Sequence, residues 1–371
     1  MKNPFHLFGF GLALFYLLFN IYIALWLAFR LALGSKGRFI VFEAALLLSA
    51  FYPAARTFAS AHFGGIADRV LWLALFGFGA SFVFFWVLLV CDLALAVFKA
   101  LGADWARRRP AAITVLALAA GFVSLAVWHG AEVPRMKRIE ITVKNLPRAL
   151  DGFMITQVSD LHLGRMVKLE RLNKMAETMN ALRPDLVVFT GDFAESREPM
   201  PEGTCGVIKG IYARYGKAAV LGNHDMFTGG SAAAEFFGAC GVKVLRGQAY
   251  EPVPGLTVAG VDDLRRAGVE AVKKLAAVLD RSKPLIFLSH QPQGFDEITA
   301  AGSGLVLSGH THKGQIFPFG PLERHMFKYF YGLYKAGDFS VYVTSGSGAW
   351  GPPLRLFADS ELPVFILRSA R

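Results

Sequence analysis

Apolar residues dominate four long stretches in the first third of the chain: Phe5 to Leu33, Phe39 to Ala61, Val70 to Phe98 and Ala111 to Trp128. Each is near or above the roughly 18 to 20 residues that a helix needs to cross a bilayer, so the pattern predicts two membrane-spanning helical hairpins. The first stretch is too long for a signal-peptide core and is not followed by a small-residue cleavage site, which makes it a span. Glu43, Pro53 and Arg56 interrupt the second, leaving a re-entrant or surface-lying segment as its other reading. After Pro134 the texture changes to short runs of β type: Ile139 to Val143, Met154 to Val158, Leu186 to Thr190, Ala218 to Leu221, Leu256 to Gly260, Leu285 to Ser289, Leu305 to Ser308, Ser340 to Thr344 and Val364 to Leu367. Between them Leu169, Leu172, Ala176, Met179 and Leu182, and again Val269, Val272, Leu275, Ala276 and Leu279, recur at the spacing of one buried helix face. The expected organisation is a transmembrane region over residues 1–134 followed by an α/β layered domain over 135–371.

Composition agrees with that division. Of 371 residues, 54% are hydrophobic and 18% charged, a balance hard to keep in solution unless part of the chain sits in lipid. Ten basic and five acidic residues precede Pro134, many in the short loops that flank membrane helices. The formal charge of +11 therefore does not point to nucleic acid, and no nucleic-acid partner is expected. A multi-pass protein of the cell membrane, or inner membrane, is expected. Four spans put both ends of the membrane region on one side, yet the loop charges are balanced: Arg30, Lys36, Arg38, Lys99 and Arg107 to Arg109 face Lys2, Arg56, Arg69, Arg135, Lys137, Arg138 and Lys144. The side that carries the α/β domain stays open. Only Cys205 and Cys240 lie in the polar half, so one optional bridge is the most that the sequence allows.

Candidate chemistry lies at the ends of the predicted strands. Residues 135–371 hold six histidines, and five of them follow apolar runs beside metal-type neighbours: Ser159-Asp160-Leu161-His162, Gly222-Asn223-His224-Asp225, Ser289-His290 and Gly309-His310-Thr311-His312, with Gly191-Asp192 ending another run. Strand ends of open α/β sheets are where loops aim side chains into one crevice. Two residues separated by one can turn toward the same ion, which suits Asp160 with His162 and His310 with His312. Glycine just before Asp192, Asn223 and His310 permits sharp turns and close backbone approach.

These blocks, in this order, resemble the calcineurin-like metallophosphoesterases over most of residues 150–371. Ala259-Gly260-Val261-Asp262-Asp263 and Leu354-Arg355-Leu356-Phe357 are similar to the membrane-associated branch that includes UDP-diacylglucosamine hydrolase-like and transmembrane metallophosphoesterase proteins. The resemblance implies a layered β-sandwich flanked by helices and two divalent metal ions, with Mn, Fe and Zn equally suited by the ligand types. It implies one ion on Asp160, His162, Asp192 and His312 and the other on Asp192, Asn223, His290 and His310, bridged by Asp192. Such a pair stabilises charge on phosphoryl oxygens during ester cleavage. His224 is left to protonate the leaving oxygen, with Asp225 holding its ring.

Lys313 stands where many relatives have Gly, and Ala358-Asp359-Ser360 replaces a Pro-containing stretch. Lys313 and Arg165 are candidates for binding substrate phosphate, and both also read as solvated loop residues. His325 is expected to have no metal role. Gly346-x-Gly348-x-x-Gly351 matches a dinucleotide fingerprint, but Pro352 and Pro353 follow and no βαβ unit can start there, so it reads as a glycine-rich loop near the site. The expected activity is hydrolysis of a phosphate ester or pyrophosphate bond, with membrane lipids as surroundings and a lipid-linked substrate. Phe317, Phe319, Met326, Phe327, Tyr329, Phe330, Tyr331 and Tyr334 either line an acyl channel or cap the sheet. The other class of function is a transporter or scaffold carrying a regulatory domain; Glu43 and Asp92, the only acidic groups in the spans, are too few for a pathway.

Overall fold

The computed structural model describes residues 4–102, 109–195, 200–227, 229–300 and 302–370. Lys2, Arg107 and Arg108, counted above among the loop charges, lie outside them. The chain forms two compact units, one of Met1–Ala131 with Gly351–Leu356 and one of Glu132–Trp350 with Phe357–Arg371.

The first unit contains α1 (Pro4–Arg30), α2 (Ser35–Ala61), α3 (Gly65–Ala100) and α4 (Arg109–Ala131). All four are long and apolar enough to cross a membrane; α2 has a mean hydropathy of 1.4, against 2.1 to 2.5 in the others. Pro53 sits inside α2, yet the helix runs on for 27 residues. Several polar groups of these helices bond to one another, which matters most where lipid offers no hydrogen bonds. Asn20 donates to Ser49 Oγ at 3.0 Å and accepts from Ser81 at 2.8 Å. Asp92 accepts from Tyr22, Trp26 and Arg30 at 2.9, 3.0 and 2.6 Å, so this charge ties α1 to α3. The unit also takes in Gly351–Leu356, where Arg355 donates its backbone N–H to the Ala126 carbonyl at 2.9 Å.

The second unit runs β1 (Arg135–Val143), β2 (Met154–Val158), α5 (Leu169–Leu182), β3 (Leu186–Thr190), α6 (Thr204–Gly210), β4 (Lys217–Val220), α7 (Asn223–Phe227), α8 (Gly230–Ala239), β5 (Lys243–Val244), β6 (Gln248–Val253) and β7 (Leu256–Gly260). It continues with α9 (Leu264–Val278), β8 (Leu285–Leu288), α10 (Phe295–Thr299), β9 (Gly304–Ser308), α11 (Phe319–Glu323), β10 (Gly332–Ala336), β11 (Phe339–Val343) and β12 (Glu361–Ser369). Two six-stranded mixed sheets result, in the orders β1-β12-β2-β3-β4-β5 and β10-β11-β9-β8-β7-β6. Within them β2, β3 and β4 are mutually parallel, as are β7, β8 and β9.

Alternation along the strands builds the layers. Ile155, Val188 and Val220 of the first sheet share one buried cluster with Val258, Ile286 and Leu307 of the second. The intervening Val187 and Phe189 turn outward onto Leu172, Met175 and Met179 of α5, and Ala259 and Phe287 turn onto Val272 and Leu275 of α9. Helix, sheet, sheet and helix therefore stack as the expected layered α/β domain. Cys205 and Cys240 are joined, with Cα atoms 5.1 Å apart, linking α6 to the end of α8.

Candidate metal centre

Five parallel strands end on the candidate residues: β2 leads to Asp160 and His162, β3 to Asp192, β4 to Asn223 and His224, β8 to His290, and β9 to His310 and His312. The chain turns abruptly at these ends. Asp160, His162, Asp192, His310 and His312 all have positive φ, between 48° and 75°. That left-handed region is costly for a residue with a Cβ, by roughly 1 to 3 kcal/mol each, and such strain concentrates at functional sites. Close backbone approach is equally marked: a Cβ at Gly309 would collide with the Asp160 carboxylate and Ser159 Oγ, and one at Gly348 with the Leu161 carbonyl. Gly348 belongs to the glycine-rich loop, which runs along the first motif through Ser347 N–H to Ser159 O at 2.8 Å and Gly348 N–H to Asp160 O at 3.0 Å.

These turns gather ligand atoms in three groups. Asp160, His162 and His312 form one, Asp192, His290 and His310 another, and His162 with Glu195 and His224 a third that shares His162 with the first. Nε2 of His162 faces Nε2 of His312 at 3.1 Å, and Nε2 of His290 faces Nδ1 of His310 at 3.1 Å. Two nitrogens each about 2.1 Å from one ion, at an angle of about 95° to 110°, stand about 3.1 to 3.4 Å apart, so both spacings suit a shared cation. Asp192 Oδ2 lies 3.2 Å from His290 Nε2 and 3.8 Å from His162 Nε2, between the first two groups. Asn223 Oδ1 is buried and has no hydrogen-bond partner among the described residues, an acceptor left for a cation to satisfy. Carboxylate, imidazole and amide oxygen together fit a borderline divalent ion.

The side chains alone contend for too few protons. Burial opposes a charge on Asp192, but His290, His224 and His162 hold it well below the usual carboxylate range. Burial likewise opposes a charge on His290, and Asp192 prevails, pushing it up to about 10. Burial and then the charge of His290 pull His310 down to about 3. Cations would take the place of those protons.

His224 stands beside this centre, its ring 4.6 Å from that of His162. The ring-holding carboxylate is Glu195, not Asp225 as expected from the sequence. Glu195 Oε1 lies 3.0 Å from His224 Nδ1, and its Oε2 lies 3.2 Å from His162 Nδ1, close enough for an ion pair but not aligned as a full hydrogen bond. Burial opposes the charge of Glu195, yet these two imidazoles hold it far below the usual range. Asp225 instead takes backbone N–H groups, from Phe193 and Ala194 on Oδ1 at 3.1 and 3.3 Å and from Gly222 on Oδ2 at 2.9 Å. Placed one residue after His224 on the short helix α7, it points into the loops that carry Asp192 and Asn223 and holds them together.

Arg165 is buried, and Lys313 is half-buried with its ammonium 4.7 Å from the centre of the Tyr331 ring. Arg265 escapes the strand-end pattern because it opens α9; its Nη2 reaches to 3.5 Å from His310 Nε2. The aromatic segment divides. Tyr329 and Tyr334 pack on the second sheet, whereas Phe317, Phe319 and Met326 are exposed. Aromatic rings also border the centre: Phe327 lies 5.8 Å from His310, and half-exposed Phe227 and Trp350 lie 5.9 and 6.0 Å from His224.

A family model described as calcineurin-like phosphoesterase matches residues 153–314. The chain is 33% identical over 279 residues to a transmembrane protein with metallophosphoesterase domain from Danio rerio, covering 69% of this chain and 63% of that protein, and so spans less than two thirds of that relative. It is 30% identical over 267 residues to an uncharacterized metallophosphoesterase of Campylobacter jejuni, covering 70% of each. To one of Bacillus subtilis it is 32% identical over 270 residues, covering 68% of this chain and 94% of the other.

Proposed function

The chain belongs to the calcineurin-like phosphoesterase family, and from that premise we propose that it is a membrane-anchored, two-metal hydrolase of a lipid or lipid-linked phosphate ester in the cell membrane. The pyrophosphate bond of a nucleotide-linked glycolipid is the narrower form of this reading. One observation carries it: two convergent ligand groups flanking Asp192 are bordered by half-exposed aromatic rings. A site for small soluble esters has no need of that apolar border.

Asp160, His162, Asp192 and His312 would hold one divalent ion, and Asp192, Asn223, His290 and His310 the other; Mn, Fe and Zn all suit these donors. Such a pair supplies Lewis acidity at the phosphoryl oxygens and lowers the pKa of the attacking water. His224 supplies the proton for the departing oxygen. With Nδ1 turned to Glu195, its Nε2 would deliver that proton. Trp350 and Phe227 shed water beside it and receive the apolar part of the substrate.

The test uses full-length protein in detergent micelles and compares a long-chain lipid phosphate with a short-chain soluble ester. The lipid should have the higher kcat/KM by about tenfold or more, about what two or three buried methylene groups supply at about 0.8 kcal/mol each. Phe327→Ser and Trp350→Ser should erase that advantage while sparing the soluble ester. Equal efficiency on both substrates, unchanged by the substitutions, overturns the lipid reading. Absence of hydrolysis with every divalent metal favours a transporter or scaffold.

A further inference from the structure

We propose that Arg265 is a substrate-binding residue whose guanidinium grips the phosphoryl oxygens beside the second metal group. This rests on the reading of Asn223, His290 and His310 as metal-holding.

The orientation of His310 carries the inference. Its Nδ1 faces His290 Nε2 at 3.1 Å, so Nδ1 is the nitrogen turned into the ligand group. A neutral imidazole that gives its Nδ1 lone pair to a cation bears its hydrogen on Nε2. Arg265 Nη2 lies 3.5 Å from that Nε2. A guanidinium has donors only, so with His310 in its metal-holding form the two groups face each other donor to donor and cannot bond. The guanidinium then needs an anion.

No ion pair occupies it. Among the described residues no carboxylate lies within ion-pair distance of Arg265, although the charge of Asp263 is felt there, whereas Arg246 is engaged by Asp262, its Nε at 3.1 and 2.8 Å from the two oxygens. The root of Arg265 is fixed all the same. Buried Asp263 caps α9 and accepts the Arg265 backbone N–H at 3.3 Å, and its carbonyl accepts those of Arg266 and Ala267, both at 3.0 Å. An exposed fork on a fixed stem, next to a metal-holding imidazole, matches a phosphoryl group that offers two oxygens side by side. Lysine would place a single point charge there and lose the paired geometry.

The experiment compares wild type, Arg265→Ala and Arg265→Lys in the full-length protein loaded with Mn. It measures metal content, kcat/KM on a chromogenic phosphodiester and the dissociation constant of inorganic phosphate by calorimetry. Arg265→Ala should keep the wild-type metal content, weaken phosphate binding about tenfold or more and lower kcat/KM about 10- to 100-fold, with Arg265→Lys in between. Loss of a metal ion from Arg265→Ala would make the residue a support for His310 and overturn the proposal. Phosphate affinity and kcat/KM within twofold of wild type in both variants, with metal retained, would overturn it as well. If wild type itself binds no divalent ion, the metal reading fails, and this inference fails with it by a distinguishable route.

Discussion

Replacing Glu195 by Gln tests how one carboxylate supports two histidines. Its oxygens lie 3.0 Å from His224 Nδ1 and 3.2 Å from His162 Nδ1, and only the His224 contact is well aligned. His162 turns its Nε2 into the ligand group, so its Nδ1 carries the hydrogen and needs an acceptor. The amide of Gln offers one oxygen and one NH2. The oxygen will keep the better-aligned bond to His224, which sets the NH2 against the Nδ1–H of His162. The charged contact to His162 is then replaced by two facing donors, and outer partners of metal-bound histidines are worth roughly 10- to 100-fold in metal affinity. Glu195→Gln should therefore bind the first ion about 10- to 100-fold more weakly and recover most of its turnover at saturating metal. Glu195→Ala should in addition lower kcat by about 100-fold, because His224 loses its orienting partner too. Metal titration followed by phosphodiester turnover separates the two effects. Wild-type metal affinity in Glu195→Gln, or a kcat for Glu195→Ala within threefold of wild type, would refute this account and return the ring-holding role to another group.

Three further outcomes follow from the same geometry. Chelation should abolish turnover and divalent metal restore it, and Asp192→Asn should lower metal content below one ion per chain by elemental analysis, since Asp192 Oδ2 lies between both groups; two ions retained would exclude a bridging role. Gly309→Ala should cost activity and metal together, because the added methyl meets the Asp160 carboxylate, which the His310 N–H and Ser159 Oγ hold in place; a crystal structure with Asp160 undisplaced and full turnover would contradict this. The Cys205–Cys240 bridge closes a loop with a sequence separation of 35, worth about 4 kcal/mol by chain entropy, so Cys205→Ser should lower Tm by roughly 8 to 16 °C in a thermal melt, and an unchanged Tm would show that the bridge does not form.

The central strands could be read from the sequence because both of their faces are covered. Met154–Val158, Leu186–Thr190 and Leu256–Gly260 are nearly or wholly buried along their lengths, and a run of apolar residues bounded by turns marks such strands to the residue. The edges escaped the same reading. In Gly332–Ala336 half-buried and exposed positions alternate, Gln248–Val253 contains Glu251 and Pro252, and Lys243–Val244 is only two residues long. Their strand state is imposed by a neighbour that offers hydrogen bonds rather than by burial of their own side chains, and a hydropathy pattern carries no trace of that neighbour. α2 posed the opposite difficulty. Pro53 weakens the local pattern, but prolines are tolerated in apolar helices of this length, and α2 runs through it for 27 residues.

At the metal centre the division falls between residues placed by strand ends and residues placed by loop paths. Asp160, His162, Asp192, Asn223, His290, His310 and His312 all come within four residues of a strand end, so naming the strands nearly names the site. Glu195 and Arg265 depend on where a loop or helix goes next. Glu195 lies in the Gly191-Asp192-Phe193-Ala194-Glu195 block, and the one signal available was a carboxylate three residues after the central Asp. Asp225 looked the better partner for His224 because the two are adjacent, yet adjacency on a helix turns side chains apart: neighbours there point about 100° from each other. With His224 and Asp225 both on α7, the ring faces the metal groups while the carboxylate faces the backbone of the Asp192 loop. The orienting acid therefore had to arrive from another segment, and Glu195, carried past His162 by that loop, is the one that does.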